Sequence, residues 1–428
     1  VLGPPDDTNT FAGDVDLHSW YLDDGIVGGD AETVSRLVTT FAEVGSSFGL
    51  CLNPRKCEVV CDPSSGDSIT SLFGGLGSAI SWSNWVLLGS PCGDEGSRGP
   101  FLEHAMDNAI RRTQLVSRVG EIDPHVAFAL LRLCCGFSLA VYYMRGCGPS
   151  PHFARLDAAS IATFEQCVSP VSEAQLTQLQ LPIRHGGFGL RPAAPFATVA
   201  YCTSAHSSRQ FLEVLTSSSC RLSADPIMSS SLRDASFQSL PSSRQQLLDY
   251  LNTDASPGDH AQRMVSRAIE DQLADDWLAT LSEQRDKARI NSCRRDHSSG
   301  WLLPRPFEDH IEGWLSPAEF TTACRLRLGQ PVAHAATLCN TCHTSTADVF
   351  GDHSLTCMKG GHRSRVHDQI RDMIFNVASM ALMNPRKEDP CFGTSSKRSD
   401  ITLTNVHRAR SDTTTRSANP VAIDVTLT

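Results

Sequence analysis

Between Cys339 and Cys357 the chain reads CNTCHTSTADVFGDHSLTC, and no other stretch restricts its fold so tightly. Cys339 and Cys342 stand two residues apart on one knuckle, and His353 and Cys357 come later, on a second element. Three thiolates and an imidazole at this spacing suit a closed tetrahedral Zn²⁺ site, with metal–sulfur distances of about 2.3 Å. His343 could stand in for one ligand, and a chance cluster in a chain of 16 cysteines is the competing explanation. The expected zinc is structural, because four protein ligands leave no open position for a substrate.

The other cysteines are scattered without the spacing of a disulfide framework, so reduced thiols and a nuclear or cytoplasmic location, not a secreted one, are expected. With 428 residues, 40% hydrophobic and 20% charged, the chain has material for two or three globular domains. It starts at Val1 and stops at Thr428 inside the strand-like alternation VAIDVTLT, which suggests a fragment of a longer protein. The net charge of −10 is carried by residues 1–100, which hold 4 Lys/Arg against 14 Asp/Glu. The overall charge therefore argues against a dedicated basic DNA-binding protein and leaves room for local phosphate contacts. The apolar run VAFALLRLCCGFSLAVYYM, residues 126–144, has Arg132 near its middle and comes directly after the helix-start pair Asp123-Pro124 and His125. A central arginine costs roughly 2.5–3.5 kcal/mol in a bilayer, so a buried core helix is expected and no membrane partner.

Near the N-terminus HSWYLDDGIVGG reads as strand, tight turn and strand, and residues 31–49 place Val34, Leu37, Val38, Phe41, Val44 and Phe48 at helical spacing. LCLNPRKCEVV and WVLLGSP again look like strands. Residues 101–168 form a helical block around Leu156, Ile161 and Phe164, closed by the glycine-rich loop LPIRHGGFGLRPA. Serine and proline dominate residues 216–243, the expected linker. Helices resume with Met264, Ile269, Leu273, Trp277 and Leu281 as an apolar stripe, and Ser316-Pro317-Ala318-Glu319 starts another with a capping signature.

The adjacent Asp23 and Asp24 have two explanations. Asp-Gly is common in hairpin turns, where solvent screens the repulsion. Alternatively the tip presents carboxylates to Mg²⁺, a hard cation that shares its sphere with substrate phosphates. Three motifs, in their order along the chain, resemble the palm of reverse transcriptases. Tyr21-Leu22-Asp23-Asp24 is similar to their catalytic hairpin, GLCLNPRKCEVV with Gly49, Asn53 and Lys56 to the segment after the next helix, and Leu87-Leu88-Gly89 to the short primer-grip strand. The resemblance implies that Asp23 is a Mg²⁺ (or Mn²⁺) ligand, Asp24 a supporting carboxylate and Lys56 a proton donor to leaving pyrophosphate. Tyr21, Leu88 and Gly89 would position the primer. Taken alone, Lys56 is a solvated lysine, Tyr21 a core aromatic, and His185 of LPIRHGGFGL part of a tight turn. The family's first metal-binding aspartate lies on an earlier strand. Residues 1–17 contain Asp6, Asp7, Asp14 and Asp16 but read as a loop, so this stretch by itself is not expected to polymerise.

Behind the cysteine cluster, GGHRSRVHDQIRDMIF sets Val366, Ile370, Ile374 and Val377 on one helical face and offers Arg363, Arg365 and Arg371 either to solvent or to phosphates. Glu388 comes next in NPRKEDP, Asp400 heads KRSDITL, and Asp424 lies in VAIDVTLT. Acidic groups on neighbouring strands can hold Mg²⁺ and activate water for phosphodiester hydrolysis. This order resembles the restriction-like endonuclease at the C-terminus of site-specific non-LTR retrotransposons. The resemblance implies catalytic roles for Glu388, Asp400 and Asp424. The family has proline where this chain has Ser399, and a lysine after the second aspartate that is not found after Asp424.

The expected fold is α+β, with six parts. Residues 1–100 are the later part of a polymerase palm, 101–205 a helical thumb, 206–259 a linker, 260–338 a helical linker domain, 339–362 a zinc knuckle and 363–428 part of an α/β restriction-like nuclease. The resemblance implies an RNA-directed DNA polymerase coupled to target nicking, with template RNA, DNA primer or target DNA, and dNTPs as partners. The other possibility is a truncated or decayed element copy acting at most as a zinc-dependent nucleic-acid-binding protein.

Overall fold

The computed structural model describes residues 15–21, 24–62, 64, 66–73, 78–81, 84–215, 226–238, 240–253, 260–296, 298–302, 315–357, 359, 362–389, 399–404 and 421–423. The protein mixes helices with small sheets, and 63% of the described residues are helical. It divides into two compact units, residues 1–328 and 329–428.

Unit one begins with the expected hairpin. Strands β1 (Leu17–Tyr21) and β2 (Asp24–Gly28) pair antiparallel with Tyr21 opposite Asp24. Gly25 lies inside β2, and its role is to make room rather than to turn the chain. A Cβ there would stand 2.3 Å from the Trp20 ring, which stacks on Phe41 with centroids 5.0 Å apart. Phe41 belongs to α1 (Ala31–Ser47), capped by the Asp30 carboxylate, which accepts from the Glu32 and Thr33 amides at 3.0 and 3.2 Å. Strand β3 (Glu58–Cys61), helix α2 (Gly66–Leu72) and strand β4 (Ser78–Ser81) come next, with β3 and β4 parallel. Parallel pairing needs a crossover, and residues 62–77 supply it.

The segment expected as one primer-grip strand folds differently. Strands β5 (Asn84–Leu87) and β6 (Ser90–Gly93) form a hairpin, and Leu88 and Gly89 are its turn, with φ of 49° and 79°. Two left-handed residues match the right-handed twist of the flanking strands. For leucine that conformation costs roughly 1–3 kcal/mol. The Tyr142 hydroxyl, which donates to the Leu88 carbonyl at 2.5 Å, helps hold it.

Helices α3 (Glu95–Gly120), α4 (Pro124–Cys134), α5 (Phe137–Cys147), α6 (Pro151–Cys167) and α7 (Glu173–Gln180) build the helical block. The run 126–144 is therefore two helices, not the single one expected. Gly136, at φ 52°, breaks it, and each 11-residue half is about 16 Å long against a hydrocarbon core of about 30 Å. Phe128, Phe164 and Phe188 pack edge to face in the core.

A second core, around Phe196 and Val199, extends beyond the expected thumb boundary. After α8 (Ala197–Leu215), α9 (Pro226–Ser231), α10 (Ala235–Gln238) and α11 (Pro241–Leu251), Phe237, Leu240 and Leu247 are buried together with Val265 and Ile269 of α12 (Ala261–Thr280). The described part of the serine-rich stretch is thus helical and contributes to a core. On α12 the buried stripe includes Val265, Ile269 and Trp277, whereas the expected Met264 is 60% exposed, one position off the face. After α13 (Gln284–Cys293), helix α14 (Pro317–Leu328) starts with the expected capping box. Its Phe320, Cys324 and Leu328 bury against Phe128, Phe164 and Phe188, so the last helices of this unit complete the core of the helical block.

In unit two, strands β7 (Thr337–Leu338) and β8 (Thr346–Ala347) form a short antiparallel hairpin, and α15 (Asp352–Thr356) and α16 (His362–Met380) come after it. Strands β9 (Pro385–Asp389), β10 (Ser399–Leu403) and β11 (Val421–Ile423) make an antiparallel sheet in the order β11-β10-β9. Ala378, Ile401 and Leu403 are its buried centre, joined by Ile374 and Phe375. Val377, expected on the apolar face, is 61% exposed because the sheet contacts the stripe through 374, 375 and 378.

Candidate metal centre

The β7–β8 hairpin carries Cys339 and Cys342 in its loop, and helix α15 carries His353, with Cys357 at its C-cap. The loop is tied by main-chain bonds from Cys339 N–H to Ser345 and from His343 N–H to Cys339, each 2.9 Å. Asp348 fixes the second element. Its carboxylate accepts from the amides of Phe350 at 2.9 Å, Asp352 at 3.2 Å and His353 at 2.8 Å, satisfying the first turn of α15.

One ligand atom from each of Cys339, Cys342, His353 and Cys357 lies within 4.8 Å of all the others. Tetrahedral zinc with the bond lengths typical of such sites would hold two sulfurs about 3.8 Å apart, and a sulfur and a nitrogen about 3.6 Å apart. Cys339 Sγ and Cys357 Sγ are 3.9 Å apart, and Cys342 Sγ and His353 Nε2 are 3.5 Å apart. The residues therefore fit a metal such as zinc. His343 is exposed, at φ 55°, and lies outside the cluster.

The electrostatics favour deprotonated sulfur at Cys339 and Cys342, whereas burial and the nearby Cys339 sulfur raise the Cys357 thiol. Hydrogen bonding from the Thr344 side chain and amide holds the Cys342 thiol down at about 5, and the Cys342 amide lowers that of Cys339. The imidazole of His353 is raised by its contacts with Cys339 and Cys342. Negative charge gathered at one point is what a divalent cation neutralises.

Of the residues expected at the polymerase hairpin, Asp23 lies outside the described residues, and so does the side chain of Tyr21. Asp24 is exposed at the start of β2. Lys56 is exposed at the end of a short 3-10 turn, Pro54–Lys56, capped by the Asn53 side chain. Leu88 and Gly89 occupy the left-handed turn between β5 and β6.

In the expected nuclease, the strand register sets Glu388 and Asp400 at the same level of the β9–β10 ladder, between the pairs Ser399–Asp389 and Ile401–Lys387. Asp424 lies outside the described residues. Glu388 is held by Arg371 at 3.2 Å, and Asp400 by His367 Nε2 at 3.1 Å. Contacts with Asp368, and then Asp400, raise the pKa of His367. Arg371 also pairs with Asp368 and Asp372, at 3.1 and 3.0 Å, and is only 15% exposed. The expected offer of Arg371 to phosphates is thus corrected: its guanidinium is committed to three carboxylates. Arg365 is exposed, and the side chain of Arg363 lies outside the described residues. Sequence reasoning missed His367, although its place one turn before Arg371 on the same helix face was the available signal.

His185 contributes to structure. Its Nε2 meets Asp271 Oδ1 at 2.7 Å, Arg184 reaches Glu270 at 2.6 Å and Asp271 at 2.8 Å, and Arg191 also binds Glu270. The glycine-rich loop is thereby fastened to α12. Within it, a Cβ on Gly187 would stand 2.0 Å from the Leu181 carbonyl oxygen, so no larger residue fits.

Comparison of this chain with known protein families, with curated proteins and with solved structures finds no match.

Proposed function

We propose that this chain is part of a non-LTR retroelement protein, an RNA-directed DNA polymerase that uses two Mg²⁺ ions and is coupled to a C-terminal endonuclease. The observation that carries this reading is the Tyr21-Leu22-Asp23-Asp24 sequence at the β1–β2 hairpin, with the Lys56 segment, the Leu88-Gly89 element and the Cys₃His cluster after it in that order. At such a tip, Asp23 would ligate Mg²⁺ and Asp24 would add negative charge, while Lys56 would protonate departing pyrophosphate. These roles draw on the carboxylate chemistry of two-metal phosphoryl transfer. The zinc knuckle is structural, and Glu388, Asp400 and Asp424 belong to the nicking activity that frees a DNA 3′ end for priming. Template RNA, target DNA and dNTPs are the partners, inside the cell.

The test is RNA-templated primer extension by the protein expressed from its full reading frame. Asp23→Asn should abolish extension and leave the circular dichroism spectrum unchanged. Wild-type levels of extension in that variant would reduce the hairpin to a turn. One observation favours a second reading for the C-terminal part. Glu388 already paired with Arg371 is a poor metal ligand, which suits a zinc-dependent nucleic-acid binder without nuclease activity.

A further inference from the structure

Helix α12 ends at an open groove of about 460 Å³ that none of the proposed catalytic groups touches. Its volume lies within the roughly 300–1,000 Å³ of typical ligand-binding clefts. Leu273, Trp277 and Leu281 are its larger apolar lining, and the two leucines are only partly buried. Asp276, Glu283 and Asp286 are its acidic lining, and among the described residues no basic side chain lines it.

The chain itself does not balance this charge. Helix α13 starts beside the groove, and its positive end is met by Asp286 in the first turn. Asp286 is also bound by Arg289, at 3.0 Å, so its charge is neutralised. Asp276 and Glu283 are exposed, and among the described residues no basic side chain pairs with either. Glu283 is the N-cap residue of α13, yet its side chain makes no cap hydrogen bond. Lys287, on the same helix, is exposed and does not line the groove. The end of α12 adds to the excess. A helix C-terminus carries roughly half a negative charge, and the last turn of α12 has no basic residue to offset it. Two carboxylates and a helix C-terminus beside a tryptophan are complementary to guanidinium groups, which pair with carboxylates through two parallel hydrogen bonds and stack on indole rings.

We propose that this groove docks an extended segment of a partner protein in which two arginines flank an apolar side chain at alternate positions. In an extended chain alternate side chains share one face, and the first and fifth residues lie about 13 Å apart. The arginines reach Asp276 and Glu283, and the apolar side chain lies against Leu273, Trp277 and Leu281. A small amine would meet the charge but leave the apolar lining uncovered. This surface requires neither polymerase nor nuclease activity, so its failure and the failure of the function proposed for the whole chain are separable.

The experiment is fluorescence anisotropy of the whole 428-residue chain with the labelled peptide Gly-Arg-Ser-Leu-Ser-Arg-Gly at about 50 mM salt. Raising the salt to about 0.5 M should weaken binding about fivefold or more, because the carboxylates are exposed and screened. Asp276→Asn combined with Glu283→Gln should weaken it about tenfold, a loss of about 1.4 kcal/mol. Asp275→Asn changes an exposed carboxylate of the same helix that does not line the groove, and should leave affinity unchanged. Thr280 is exposed and lines the groove. Thr280→Arg therefore sets a guanidinium at the end of α12 and should block binding, while the circular dichroism spectrum stays that of the wild type. Replacing both peptide arginines by glutamine, or the peptide leucine by serine, should each weaken binding. Absence of binding by the wild-type chain below about 1 mM, or equal affinity for either altered peptide, would overturn the proposal. Wild-type affinity in the double variant or in Thr280→Arg, or a loss in Asp275→Asn as large as that of the double variant, would do the same. Displacement of the peptide by an equal concentration of arginine methyl ester would show a small-cation site and overturn it as well.

Discussion

Removing the metal from the Cys339–Cys342–His353–Cys357 cluster should unfold the knuckle while the helical unit stays folded. Across residues 337–357 the only buried side chains are Cys339 and Cys357, both of them ligands. Secondary structure there amounts to two strands of two residues and a helix of five. Fixing a backbone costs about 1–2 kcal/mol per residue, and this stretch has no apolar core to offset it. A structural zinc contributes on the order of 10–16 kcal/mol near neutral pH, comparable with the entire stability of many domains. Without it, three sulfurs and an imidazole held within 4.8 Å have nothing to balance them. Elemental analysis after gel filtration should give about one zinc per chain. Hydrogen exchange with and without chelator provides the second measurement. The amides of Cys339, His343, His353 and Leu355, all hydrogen-bonded in the folded knuckle, should lose protection, while amides of α3 and α6 keep theirs. Cys357→Ser should lower zinc affinity by more than the 10- to 100-fold typical of changes outside the ligand set. A chain that binds no zinc, or knuckle amides still protected in chelator, would refute the closed site.

Unit one offers two more tests. Gly187→Ala would drive a methyl group against the Leu181 carbonyl and should destabilise the helical unit by about 3 kcal/mol or more, read as a lower urea midpoint; an unchanged midpoint would show that the loop yields freely. The Asp157 carboxyl is pushed up from 3.8 to about 6 by burial, although the amides of Ala193 and Ala194 donate to it at 2.6 and 3.0 Å. A raised folded pKa means that this stabilisation is fully present below about pH 3.8 and is lost as pH rises through 6. The shift corresponds to about 3 kcal/mol, so urea titrations from about pH 4.5 to 7.5 should show wild-type stability falling with pH relative to Asp157→Asn. Parallel pH profiles of the two proteins would exclude Asp157 as the cause.

Local signals survived folding wherever a short-range force was sufficient. Asp123-Pro124 and Ser316-Pro317-Ala318-Glu319 start helices because a side-chain oxygen near the first turn satisfies amides that have no other partner. The Cys₃His cluster was legible for a similar reason, since its spacing fits two short elements whatever surrounds them. Segments whose fate depended on neighbours were not. Residues 126–144 look continuous in composition, yet Gly136 divides them so that both halves can bury against α3, α6 and α8. Met264 and Val377 fit the periodicity of their helices but lie just off the faces that the packed partners selected.

The sequence alone therefore determined the capped helices, the β1–β2 hairpin and the members of the Cys₃His cluster, because each is specified by residues close together in the chain. Only the tertiary structure decided that α14 closes the core begun by α4 and α6, that Arg371 serves Glu388 rather than phosphate, and that Trp20 lies over Gly25 against Phe41. Those contacts join residues from separate elements. Their geometry depends on which apolar faces and charges meet when the chain packs, and residue spacing does not encode that.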